Sequence, residues 1–194
     1  MPLVAALAMS ALFVAGPVHA HMGQAGHGSL LSGLLHPLAG PDHFVAMVTV
    51  GVWATLADGR ALWLAPTAFV GAMLAGFGLA LAGAALPLTE PMVLASAVVL
   101  GLLAAIGLAV PTPAVVGLVA LFALFHGAAH GAEMGPAAAL PYATGFAVAT
   151  AALHAAGIAI TRGLLRFVGD IHRRTVTRGL GLAGAAAGLA LVLT

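Results

Sequence analysis

A chain of 194 residues with 62% hydrophobic and only 6% charged residues cannot cover a water-facing surface, so its elements are read against a lipid bilayer. The formal net charge of +1 hides a cluster: five of the six basic residues (Arg162, Arg166, Arg173, Arg174 and Arg178) fall in one short segment, too few and too confined for a nucleic-acid surface. Cysteine is absent, which excludes disulfide frameworks and thiolate metal sites and leaves His, Asp, Glu, Met and backbone groups for any metal chemistry.

Residues 1–20 form an apolar stretch ending Val18-His19-Ala20, with the length and small-residue ending of a secretory signal peptide, although no Lys or Arg precedes the apolar run. Cleavage after Ala20 is expected, leaving residues 21–194 as a single transmembrane domain. The alternative is a short first helix that stays attached. After cleavage His21 becomes the N-terminus, where α-amine and imidazole together suit a divalent cation. His27 follows, and a solvated-loop reading of both is equally open.

The first expected span, Ser29 to Ala57, contains HPLAGPDHFVAMVTVGVWA. Pro37 and Pro41 each remove a backbone donor and disfavour regular helix just before them, so a kinked or broken entry is expected around Gly40. His36, Asp42 and His43 all enter this apolar span. A His beside a Pro is commonly a helix-end residue, but three potential ligands within eight residues of a membrane segment point to metal or proton chemistry.

Further spans are expected at Ala61 to Leu86, Pro91 to Val110, Pro113 to Met134, Ala137 to Ile160 and Val176 to Leu193, each with about the 20 apolar residues a bilayer-crossing helix needs. The breaks carry turn chemistry, such as Asp58-Gly59, Pro111-Thr112-Pro113 and Gly135-Pro136, and the arginine-rich segment is expected as a loop. The fold class is therefore all-α: a polytopic membrane protein with six transmembrane helices after the signal peptide. With the mature N-terminus outside, Arg60 and the arginine-rich segment all fall in the cytoplasm, as the positive-inside rule asks. Trp53 and Trp63, flanking the first cytoplasmic loop, read as interfacial anchors, and His172 reads as solvated.

Within the fourth span, Phe125 to Glu133 reads FHGAAHGAE. In a helix His126, His130 and Glu133 fall at i, i+4 and i+7, so two imidazoles and a carboxylate share one face. Gly127, Gly131 and Gly135 form a second stripe, along which another helix backbone can approach closely. The first span runs inward and the fourth outward, which puts the two ligand sets at similar depth, where they can meet. The two sets also open the halves of a three-plus-three inverted arrangement, a recurrent transporter plan, although the halves share no convincing sequence identity.

Imidazoles with one or two carboxylates and no thiolate suit Ni²⁺, Co²⁺ or Zn²⁺ better than Mg²⁺ or Ca²⁺, and the ligand set does not choose among the first three. Neutral imidazole is the ligating form, so capture weakens as pH falls through about 6.5. His154 in the fifth span is either a helix-packing polar residue or a ligand further along the path, and Met47 reads as core filler rather than a soft ligand. An intramembrane zinc hydrolase would use similar residues with Glu133 as general base, but no nucleophile or oxyanion element accompanies them. Nor is there a nucleotide-binding motif.

The two segments HPLAGPDHFVAMVTVGVWA and FHGAAHGAE resemble the signature segments of the HupE/UreJ family of nickel permeases, and the likeness extends to the signal peptide, the His that follows it and the helix count. The resemblance implies uptake of Ni²⁺, with Co²⁺ as a second cargo, across the bacterial cytoplasmic membrane to supply hydrogenase or urease assembly. No permanent cofactor and no enzymatic activity are implied. His36, Asp42 and His43 match the first motif, and His126, His130 and Glu133 the second. A cytoplasmic nickel chaperone is an expected partner beside the ion and the lipid.

Overall fold

The computed structural model describes residues 29–57, 59–107, 110–134 and 138–193, apart from the side chains of Glu133, Asp170 and Ile171. Residues 1–20, His21 and His27 lie outside the described residues, as does Gly135. Every regular element among the described residues is an α-helix: α1 Leu30–Ala39, α2 Pro41–Ala57, α3 Ala61–Leu81, α4 Thr89–Ile106, α5 Thr112–Met134, α6 Ala139–Phe167 and α7 Asp170–Val192. Five of these, α3 to α7, are long and apolar enough to cross a membrane.

The first expected span breaks at Gly40, just before Pro41, whereas Pro37 stands inside α1 without interrupting it, which corrects the expectation that both prolines disrupt the helix. Ser29 caps α1, accepting from the Ser32 N–H at 3.0 Å while its own N–H donates to Ser32 Oγ at 3.1 Å. Gly40 precedes Pro41 and takes an extended conformation (φ −88°, ψ 108°), the region to which a following proline ring confines its neighbour. Pro41 then stands as the first residue of α2, where its missing N–H would have had no helical partner. The Gly40 N–H closes α1 onto the His36 carbonyl at 3.2 Å, and the Gly40 carbonyl accepts from Phe44 at 2.9 Å to open α2. Both backbone groups at the break are thus satisfied without water, the condition for interrupting a helix within a membrane protein.

Helix α2 touches all six other helices and is the centre of the bundle. It is apolar on every side, and His43, Val45 to Met47 and Thr49 to Ala54 are buried, as expected of a helix enclosed by protein. This enclosure corrects the expectation for Trp53, which is 5% exposed and part of the main core, whereas Trp63 at the start of α3 is 69% exposed. Met47 is core, as expected.

The tightest seams are made by glycine. Helices α3 and α5 make the most extensive contact, and a Cβ on Gly127 would run into the Met73 carbonyl while one on Gly76 would run into that of Leu124. Gly131 lies against Phe77, so the stripe expected on α5 is a helix-packing face at its two described members. Gly51 of α2 and Gly157 of α6 meet in the same way, against the carbonyls of His154 and Val48.

The arginine-rich segment is a correction. Arg162 and Arg166 lie in the last turns of α6, Arg173, Arg174 and Arg178 lie in the opening turns of α7, and only Val168 and Gly169 stand between the two helices. Arginine is a good helix former, and a 29-residue helix is roughly 43 Å long, so α6 outruns a hydrocarbon core of about 30 Å and carries its charges past the apolar layer without breaking. His172 is exposed, as expected.

Candidate metal centre

The last turn of α1 delivers His36 and the first turn of α2 delivers Asp42 and His43, so the break at Gly40 gathers three polar side chains that a continuous helix would spread around its circumference. Gly40 is shaped to this: a Cβ there would stand 3.0 Å from Asp42 Oδ1 and 3.2 Å from His43 Nδ1. Asp42 Oδ1 accepts from His43 Nδ1 at 3.0 Å. An ionised carboxylate only accepts, so this bond assigns the His43 proton to Nδ1 and leaves Nε2 with its lone pair.

Helix α5 brings His126 and His130 against the same point. His43 Nε2 and His130 Nε2 are 2.6 Å apart, the His126 ring stands perpendicular to that of His43 at 4.7 Å, and the His36 ring lies 4.3 Å from that of His130. The two ligand sets, far apart in sequence, are one cluster of four imidazoles and a carboxylate. His43, His126 and His130 are buried, while His36 and Asp42 are half-buried, so the cluster is approached from the α1–α2 break. Phe146, Tyr142 and Phe69 wall it with ring edges.

The 2.6 Å contact carries one shared hydrogen. His43 has committed its proton to Asp42, so the hydrogen between the two rings belongs to His130. Imidazole nitrogens bind borderline divalent ions at about 2.0–2.1 Å through lone pairs, so a cation could join this pair only by displacing that hydrogen and opening the rings. Among the described residues no three His, Asp or Glu side chains stand as a finished metal shell. The arrangement is a hydrogen-bonded cluster.

Of the other expected residues, Glu133 lies in α5 one turn beyond His130, with its side chain outside the described set, and His21 is outside it altogether. His154 is 1% exposed, and the Phe69 ring contacts both it and the cluster, 5.0 Å from His154 and 5.5 Å from His126. Neither ring nitrogen of His154 has a hydrogen-bond partner among the described residues. One turn before it, the Thr150 hydroxyl donates to the Met73 sulfur at 3.6 Å.

Sequence reasoning missed Ser96. It is fully buried on α4, its Oγ 2.9 Å from His126 Nε2 and 2.6 Å from the Val93 carbonyl. A single serine in an otherwise apolar span is a weak signal, and nothing in its spacing pairs it with a histidine thirty positions on.

The family described as HupE / UreJ protein matches residues 7–191. Protein HupE of Rhizobium leguminosarum bv. viciae is 41% identical over 181 residues, covering 92% of this chain and 93% of that protein. No solved structure matches the chain.

Proposed function

This chain belongs to the HupE/UreJ family and is a multi-pass membrane protein, and on that premise we propose that it is a permease taking up Ni²⁺, with Co²⁺ as a second cargo, across the bacterial cytoplasmic membrane for hydrogenase or urease maturation. The observation that carries this reading is the meeting of His43 and His130, Nε2 to Nε2, inside an apolar bundle. Buried imidazoles that close on one another through a single hydrogen offer nitrogen ligands once that hydrogen leaves, and nitrogen ligands select borderline transition metals over hard cations. His36, His43, His126 and His130 supply nitrogen ligands, Asp42 holds His43 and adds negative charge, and Glu133 completes the set from α5. His154 is a later ligand on the way inward, and His21 an outer one.

In this reading α1 and α2 are the two parts of one broken span, which makes six crossings after the signal peptide. The mature N-terminus is periplasmic, and every arginine then lies at the cytoplasmic side. The inverted three-plus-three plan has partial support in the helix contacts: exchanging the halves carries the α3–α5 seam onto the packing of α6 against α1 and α2, and the α4–α5 contact onto α2–α7, whereas the packing of α2 on α3 and α4 has no comparable counterpart on α5. An interior-negative potential favours entry of each charge by about 2.3 kcal/mol per 100 mV, and capture of the ion by a cytoplasmic nickel chaperone keeps the gradient inward. The protein is a transporter and not an enzyme.

The test is radioactive Ni²⁺ uptake in cells lacking their own nickel importers, comparing the native chain with His43→Ala and His130→Ala at equal membrane expression. Uptake by the native chain and its loss in both variants is the expected result. Absence of Ni²⁺, Co²⁺ and Zn²⁺ uptake by the native chain would overturn the permease and bring forward metal-dependent hydrolysis.

A further inference from the structure

Ser96 makes two contacts through one hydroxyl. Its Oγ lies 2.6 Å from the Val93 carbonyl one turn back on α4, and 2.9 Å from Nε2 of His126 on α5. A carbonyl only accepts, and a serine in an apolar helix commonly turns its proton back onto such a carbonyl. Ser96 has one proton to give and the shorter contact takes it. Towards His126 its oxygen therefore accepts, and the hydrogen in that bond lies on the imidazole.

We propose that Ser96 is a positioning residue that holds His126 as the Nε2–H tautomer, so that His126 meets the transported cation through Nδ1 whereas His43 meets it through Nε2. Nδ1 of His126 is buried, has no hydrogen-bond partner among the described residues, and belongs to a ring that faces His43 edge-on at 4.7 Å. A neutral imidazole with hydrogen on Nε2 carries its lone pair on Nδ1, so the orphaned atom is the one able to ligate. Asp42 does the complementary job on α2, drawing the hydrogen of His43 to Nδ1 and freeing Nε2. Two helices thus set two histidines to opposite tautomers, and partners behind metal-ligating imidazoles fix ring orientation in this way. The role as an ion ligand rests on the permease reading; the tautomer does not.

The experiment is ¹⁵N NMR of histidine-labelled, purified, metal-free protein in detergent, with the His126 signal assigned by its loss in His126→Gln, followed by Ni²⁺ uptake curves for Ser96→Ala and Ser96→Thr. The expected result is Nε2–H at His126 in the native protein, a mixed or reversed tautomer in Ser96→Ala, and the native pattern in Ser96→Thr, which keeps the hydroxyl. Half-saturation for Ni²⁺ rises about 10- to 100-fold in Ser96→Ala and returns towards native in Ser96→Thr. Hydrogen on Nδ1 of His126 in the native protein overturns the proposal. So does a Ser96→Ala variant whose tautomer and half-saturation are both native. If the tautomers behave as expected but the native protein carries no Ni²⁺, the permease reading falls and the assignment of His126 stands.

Discussion

His43 and His130 stand 87 positions apart in the chain and meet Nε2 to Nε2 at 2.6 Å. Since one hydrogen serves both rings, an ion held by the pair needs both at once. Removing either should therefore cost nearly as much as removing both. His43→Ala and His130→Ala are each expected to weaken Ni²⁺ binding by more than about 100-fold, and the double variant to add little, giving a large coupling in a double-mutant cycle. Calorimetric titration of the purified proteins measures this, and additive losses would mean that the two imidazoles serve separate ions.

Asp42 acts on the site through its bond to His43 Nδ1 at 3.0 Å. Asn can accept the same hydrogen but brings no charge, so the ring stays oriented while its Nε2 becomes a poorer donor to a cation. Asp42→Asn is expected to raise half-saturation about 10-fold, and Asp42→Ala, which also frees the ring, nearer 100-fold. Uptake measured over a range of Ni²⁺ concentrations separates the two effects, and equal behaviour of the two variants would show that the charge alone matters.

Gly40 tests the same bond from the other side. A methyl group there would stand 3.0 Å from Asp42 Oδ1 and 3.2 Å from His43 Nδ1, closer than these atoms accept without shifting. The backbone at Gly40 is extended and open to any residue, so Gly40→Ala should fold and reach the membrane while pushing the Asp42–His43 pair apart. Normal expression with half-saturation raised towards that of Asp42→Ala is the expected result on immunoblot and uptake assay.

What the sequence makes legible follows from the range over which each signal acts. The broken entry at Gly40 is local chemistry, set by Pro41 on the residue before it, while Pro37 is accommodated within α1. The ladder on α5 came from helical periodicity, and its meeting with His36 and His43 from counting crossings, because a bilayer forces consecutive spans to alternate direction. Ser96 was invisible: its partner is on the next helix, and the angle between two helices is not written in the spacing of either. Trp53 reads as an anchor because its neighbours in sequence are those of a helix end near a loop, while it is buried in a core shared with helices α3 to α6, which arrive later in the chain. The arginines read as a loop because charge ends a span without ending a helix.

Helix α5 contains its own control for the packing role of glycine. A Cβ on Gly127 would strike the Met73 carbonyl, whereas one on Gly117, in the same helix, would meet open space. Gly127→Ala should therefore force α3 and α5 apart at a cost of about 1–3 kcal/mol, and Gly117→Ala should be neutral or stabilising by up to about 1 kcal/mol through reduced backbone freedom. Thermal unfolding in detergent is the measurement. The Gly127 variant should also lose Ni²⁺ uptake, because His126 and His130 flank it and move with the seam.

His154 poses the opposite test, since its burial is unfavourable as it stands. Both ring nitrogens are without a hydrogen-bond partner among the described residues, and a buried polar group left so costs about 1–3 kcal/mol. An apolar residue of similar size removes that penalty, and His154→Leu should therefore melt at a higher temperature than the native protein. If the imidazole were only a packing element, uptake would survive the change. On the proposed reading it instead receives the ion after the cluster of four, so the variant should bind Ni²⁺ with native half-saturation and pass it on more slowly. A more stable protein with a lower maximal rate and an unchanged half-saturation is the expected combination, read by thermal melts and concentration-dependent uptake. Stability gained with no loss of rate would reduce His154 to a tolerated polar residue. The split matters because sites that hold their cargo weakly and in sequence release it, whereas a single closed cage would trap it.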